Sequence, residues 1–275
     1  MNSEIQNQYY PSIKQSAGLI LKMTLLSIPV AIPFVLLSLF LKYLKPDATQ
    51  IDSIIFLLMY IAVLVIVIRI GLSSFRETNQ SDYRLKFRKI SLKTMAILLV
   101  VLISAIFITE PLDYLIPMPD AFRDFMLKLL QPNIFSFLTV AVAAPILEEL
   151  LFRGIILEGF LRNYSPQKAI IWSAVIFGLA HLNPWQAFGA IAIGLLIGWL
   201  YWKTDSLLPG IFLHAANNFL AFSLMFTIDS TIDSFYMLIN NWVIYGIIFV
   251  IALVILTGGI YLLNKNFLKN HSSPL

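Results

Sequence analysis

Three apolar stretches of this chain each present a pair of chemically able side chains on one helix face. The first reads Ala144-Pro145-Ile146-Leu147-Glu148-Glu149-Leu150-Leu151-Phe152-Arg153. Glu149 and Arg153 are four residues apart and can pair. Glu148 is turned about 100° from its neighbour, because an α-helix has 3.6 residues per turn. It is then the less neutralised carboxylate, which suits a general base or acid. A purely structural use of the same residues is a buried ion pair locking two helices. The second stretch runs Phe177-Gly178-Leu179-Ala180-His181. Phe177 can wall one side of the imidazole, and the small Gly178 and Ala180 let another helix come close. The third, Leu213-His214-Ala215-Ala216-Asn217-Asn218, puts His214 and Asn218 on one face. Both can donate hydrogen bonds to a developing oxyanion. Asn217 is expected to face elsewhere and to bridge helices.

Two chemistries use this set. In one, His181, His214 and Glu148 hold a zinc ion that activates water. In the other no cofactor is needed: Glu148, helped by His181, activates water while His214 and Asn218 hold the oxyanion. Neither HExxH nor GxSxG occurs, so a soluble-type zinc helix and a serine triad find no support. The chain has no cysteine, which excludes disulfides, thiolate metal sites and a cysteine nucleophile.

The elements that must position these groups are membrane helices. Of 275 residues, 59% are hydrophobic and 12% charged, and the mean hydropathy is +0.83. A soluble domain of this length is far more polar. Backbone groups in lipid must be satisfied internally, and strand alternation is absent, so the expected fold is all-α: a polytopic membrane bundle. About eight spans are expected, near 17–41, 51–75, 94–110, 134–157, 168–182, 186–202, 207–226 and 241–263. The first apolar run follows a polar start and is too long for a cleaved signal, so it is expected as a retained span. The chain reads as one membrane domain over residues 1–275, with its catalytic core at 134–226 and no internal repeat.

Arg76, Arg84, Lys86, Arg88, Lys89 and Lys93 mark one loop as cytoplasmic. Arg162, Lys168, Lys203, Lys265 and Lys269 fall on the same side of an even number of spans, so both termini are expected in the cytoplasm. Asp113, Asp120, Asp124, Asp229 and Asp233 fall on the other side; Lys42 and Lys45 are the exceptions there, balanced in part by Asp47 and Asp52. Spans five and six look short, which would bring the Leu182–Trp185 connection below the outer surface and His181 to the level of Glu148. Segment 110–133 is either an amphipathic surface helix or a solvated loop. Lys22 and Arg69 are expected to snorkel or pair. No basic face with interleaved aromatics exists, so a nucleic-acid partner is not expected.

With these residues in place, the chain resembles the CPBP intramembrane protease family: the CAAX prenyl-protein endopeptidases and their bacteriocin-processing (Abi) relatives. The family pattern EExxxR, FxxxH and HxxxN reads here as Glu148-Glu149 to Arg153, Phe177 to His181, and His214 to Asn218, in that order. The resemblance covers about 134–226, including the glycines Gly189, Gly194 and Gly198 and the Thr204–Pro209 turn. It implies hydrolysis of a peptide bond in a membrane-associated peptide or protein, within or beside the bilayer; action near the cytoplasmic side is expected, and the compact size suggests a bacterial plasma membrane. It further implies Glu148 as base, His181 as its partner, His214 and Asn218 as oxyanion donors, and Glu149, Arg153 and Phe177 in support. Metal-dependent and metal-free forms both remain open, the metal-free one preferred because Asn218 is a poor zinc ligand beside His214. A non-catalytic immunity or scaffold protein and a proton-coupled transporter are the competing classes; the lack of matched halves weighs against the transporter.

Overall fold

Cap residues written in the sequence decide where most helices begin. The computed structural model describes residues 9–45, 50–111, 118–227 and 235–271. Ser12 opens α1 (Ile13–Leu44) in a reciprocal capping box with Gln15. After α2 (Ile51–Asn79), Ser91 opens α3 (Leu92–Thr109), accepting from the Thr94 amide at 3.2 Å. A short surface helix, α4 (Asp120–Leu129), precedes α5 (Ile134–Asn163), where Asn133 accepts from the Phe135 and Ser136 amides, both at 3.0 Å. Then come α6 (Pro166–Ala180), α7 (Pro184–Thr204), α8 (Leu208–Thr227), the short α9 (Phe235–Ile239) and α10 (Trp242–His271).

Seven of these helices are long and apolar enough to cross a membrane: α1, α2, α3, α5, α7, α8 and α10. The eighth expected span, α6, has 15 residues and reaches only about 22 Å at 1.5 Å per residue, less than a hydrocarbon core of roughly 30 Å. The sixth expected span differs from the sequence reading. Asn183 caps α7, with Pro184 at its first turn, so α7 has 21 residues rather than about seventeen and is not short. Segment 110–133 does contain a helix. α4 carries Phe122, Phe125, Met126 and Leu129 at amphipathic spacing, and Phe122 meets Trp185 with ring centroids 4.6 Å apart. Lys22 and Arg69 are exposed on the bundle's outer surface. Asp47, Asp113, Asp229 and Asp233 lie outside the described residues, as does the side chain of Lys269.

α5 is the centre of the bundle. Leu151, Phe152, Ile155, Ile156, Leu157 and Phe160 are buried with Leu64, Val67, Ile68 and Phe75 of α2. A second core joins Leu98, Val101 and Leu102 of α3 to Ile193, Ile197 and Leu200 of α7, Leu213 of α8 and Leu263 of α10. The apolar residues left exposed, such as Leu36 and Leu39 on α1 and Val243 and Val254 on α10, form the surface a lipid phase would cover.

Polar groups tie one end of the bundle. Lys86 bonds Glu158 at 3.1 Å and Asp205 at 2.7 Å, Arg162 pairs with Glu158 at 3.0 Å, and Ser206 donates to the Arg88 carbonyl at 2.8 Å. The Tyr83 hydroxyl donates to the Gly154 carbonyl at 2.8 Å, and burial pushes its ionisation upward, which keeps that proton in place. The Tyr10 amide reaches Asn79 at 2.7 Å and the Tyr9 amide reaches Asn163 at 2.8 Å, while Phe267 packs on Trp199. Both ends of the described chain therefore sit at this basic end. The helix ends at Glu110, His181, Thr227 and Phe235 lie at the other.

Candidate active site

Pro145 has no amide proton to give the Ala141 carbonyl, and the α-helix yields to it. α5 widens to π-turns at Leu138–Ala143 and again at Phe152–Leu157, so the Glu148-Glu149 pair rides on a short α-segment between two wide turns. Such π-bulges recur at functional sites.

Glu149 is fully buried and pairs with Arg153 at 3.0 Å, as the four-residue spacing predicts. Arg153 also donates to the Gly194 carbonyl at 3.1 Å and lies 4.5 Å over the Phe177 ring. The same Glu149 oxygen stands 2.9 Å from Nδ1 of His214. As the carboxylate partner of Arg153 it accepts, so Nδ1–H of His214 donates. The other ring nitrogen, Nε2, then faces Oε2 of Glu148 at 3.8 Å. That Glu148 oxygen is buried and has no hydrogen-bond partner in the protein. The second Glu148 oxygen accepts the hydroxyl of Tyr60.

His181 ends α6. Its Nδ1–H donates to the Phe177 carbonyl at 2.9 Å, which leaves Nε2 for the space beyond. The Phe177 ring meets both imidazoles edge-on, at 4.9 Å from His181 and 5.5 Å from His214. Asn218 donates to the Val140 carbonyl at 2.9 Å and accepts from Asn217 at 3.3 Å. His181, His214, Asn217 and Asn218 line one cavity of about 420 Å³ with Phe177, Gln186 and Ala190. Glu110, Trp185, Phe235 and Leu238 also line it, at the end of the bundle away from the basic loops.

Close helix approach makes this possible. A Cβ on Gly178 would lie 2.8 Å from the Ala187 carbonyl oxygen, so α6 and α7 pack backbone to backbone just before His181. A Cβ on Gly210 would sit 2.7 Å from Ile197 and 3.3 Å from Glu149, so only glycine there lets α8 bring His214 to Glu149.

Several expectations shift. The imidazole within ion-pair reach of Glu148 is His214, and no hydrogen bond joins Glu148 to His181. Asn217 lines the cavity rather than facing away, because the cavity wall takes in two adjacent positions of α8. Among the described residues no three His, Asp or Glu side chains stand together as a metal-binding group, the set Glu148, His181 and His214 included. The cavity lies toward the end of the bundle opposite the basic loops. Tyr60 was not foreseen, although a signal exists: it is the one hydroxyl-bearing residue between Ser53 and Ser73.

Residues 129–220 match a family described as type II CAAX prenyl endopeptidase Rce1-like. That stretch holds all three motifs and leaves the first three spans and the last outside it. No curated protein and no solved structure is matched.

Proposed function

We propose, taking residues 129–220 as a segment of the CPBP (CAAX-protease) family, that this integral membrane protein hydrolyses a peptide bond in the cavity beside His214, with Glu148 as the base. The family is one of intramembrane endopeptidases, so the substrate is a peptide or protein within or beside the bilayer. The observation that carries the reading is the 3.8 Å approach of Oε2 of Glu148, which is not itself a cavity-lining residue, to Nε2 of His214, which is. Each has its partner atom anchored, one by Tyr60 and one by Glu149.

A water bound to the unpaired Glu148 oxygen gives that carboxylate a proton, and its oxygen attacks the scissile carbonyl carbon. The oxyanion takes hydrogen bonds from the Asn218 amide and, when its Nε2 carries a proton, from His214. The carbon–nitrogen bond breaks as the amine takes the proton from Glu148, and the products are an acid and an amine. His181 lines the same cavity and orients the substrate or its leaving group. Zinc would lower the pKa of a bound water if present, but the histidines and Glu148 do not form a ligand set here, and no step above uses it.

The positive-inside rule sends the end bearing Arg76, Arg84, Lys86, Arg88 and Lys203 to the cytoplasm. The cavity-lining residues lie toward the other end, so in this reading the substrate segment arrives from the non-cytoplasmic side, which in a bacterial plasma membrane is the outer one. An exported peptide or the outward end of a membrane protein fits this approach better than a soluble cytoplasmic tail.

The test is Glu148→Gln in the full chain, read by mass spectrometry of membrane-protein termini against a strain with the parent protein. Cleavage products that vanish while the protein stays in the membrane with an unchanged melting temperature support the assignment. Products formed at the parent rate remove Glu148 from the chemistry, and a proton or solute flux dependent on Glu148 in proteoliposomes favours a transporter instead.

A further inference from the structure

The cavity wall holds a carboxylate that hydrolysis does not use. Glu110 follows the last residue of α3 and lines the same cavity as His181, His214 and Asn218. It is 8% exposed. Its Oε1 accepts the Phe235 amide at 2.9 Å and its Oε2 the Tyr245 hydroxyl at 2.6 Å. Both donors are neutral, so they orient the charge without cancelling it. No ion pair reaches Glu110 among the described residues. Of the lining residues it is the one Asp, Glu, Lys or Arg. An unneutralised carboxylate walled by apolar residues attracts a cation far more strongly than one in bulk water.

We propose that Glu110 is a specificity site for a cationic group of the substrate: a lysine or arginine side chain, or a free terminal ammonium. The proposal rests on the hydrolase reading and names a feature of its substrate. The lining positions on α8 run from His214 to Ala221 and those on α7 from Gln186 to Ile193. Seven residues at 1.5 Å make this depth roughly 10 Å, about three residues of extended peptide. The cation therefore sits two or three residues from the scissile bond, and the charge-assisted pair it makes with Glu110 fixes the register of the peptide in the cavity.

The experiment uses the full chain in proteoliposomes and quenched-fluorescent peptides of one length. A single lysine is moved through the three positions on each side of the bond in a leucine–alanine background, each peptide with a free and an acetylated N-terminus. The parent protein should cleave the best lysine peptide at least tenfold faster, in kcat/KM, than its leucine counterpart. Glu110→Gln should collapse that ratio through KM, and Glu110→Asp, which keeps the charge, should retain it. A preference that depends on the free N-terminus instead of the lysine assigns the cation to the ammonium. If Glu110→Gln lowers all peptides equally, Glu110 only anchors α9 and α10, and the proposal is overturned. Cleavage by the parent without any charge preference overturns it alone, whereas no cleavage of any peptide overturns the hydrolase reading as well.

Discussion

The phenol of Tyr60, on α2, donates to Oε1 of Glu148, on α5. That bond joins a helix outside the matched segment to the proposed base, and it leaves the other Glu148 oxygen to face His214. The second helix thus holds the proposed base as well as packing on α5.

Tyr60→Phe removes the donor and keeps the ring. A hydrogen bond to a charged group contributes about 1.5–3 kcal/mol to stability, so the melting temperature should fall, and turnover should fall about tenfold or more because the carboxylate loses the group that orients it. Steady-state kinetics on a cleaved peptide decide it: an unaltered kcat would reduce Tyr60 to a packing residue.

Arg153 is 1% exposed and Glu149 fully buried, and His214 shares the same oxygen of Glu149. Arg153→Ala leaves an uncompensated buried carboxylate and should destabilise the protein by about 3–5 kcal/mol. The double replacement Arg153→Met with Glu149→Leu should be closer to the parent in stability, yet inactive because His214 loses its anchor. Thermal unfolding in detergent and peptide cleavage separate the two effects, and an active double variant would refute the anchoring role.

Gly210→Ala places a methyl 2.7 Å from Ile197 and 3.3 Å from Glu149. Overpacking of this kind costs about 1–3 kcal/mol, and here it also pushes α8 away from Glu149. Gly18→Ala meets nothing within 4 Å on an exposed helix position and is the control that should be neutral to slightly stabilising. Equal melting temperatures for the two variants would contradict the close approach.

The natural chain has no cysteine, so single cysteines report on sidedness directly. Gln186→Cys, exposed and lining the cavity, should react with a membrane-impermeant maleimide added to intact cells. Arg84→Cys, exposed in the basic loop, should react only in inverted vesicles. The reverse pattern would turn the protein over in its membrane and bring the substrate from the cytoplasm.

Peptide cleavage should persist after treatment with EDTA or phenanthroline, because Glu148, His181 and His214 do not converge as metal ligands. Activity lost to chelator and recovered with added zinc would show that these side chains regroup around a metal.

Much of this was legible in the amino-acid order alone, for a physical reason. Apolar run length reports membrane helices because lipid forbids an unsatisfied backbone, and seven of the eight expected spans are helices long enough to cross, α1, α2, α3, α5, α7, α8 and α10, while the eighth is the shorter α6. The four-residue spacing of Glu149 and Arg153 is local geometry, so their pairing was readable before any coordinates. What lay beyond reach depends on which helices meet and at what height. Tyr60 lies 88 residues from Glu148 along the chain, and nothing in its own helix points to that partner. Glu110 looked like the end of a span until α9 and α10 closed over it. The choice of His214 over His181 as the neighbour of Glu148 came from glycine-permitted approach at Gly210, and the pairing of Asn217 with Asn218 on one wall from cavity shape. Helix periodicity speaks for a single helix; the distances between helices follow from side-chain volumes summed across the whole bundle, and only the folded chain performs that sum.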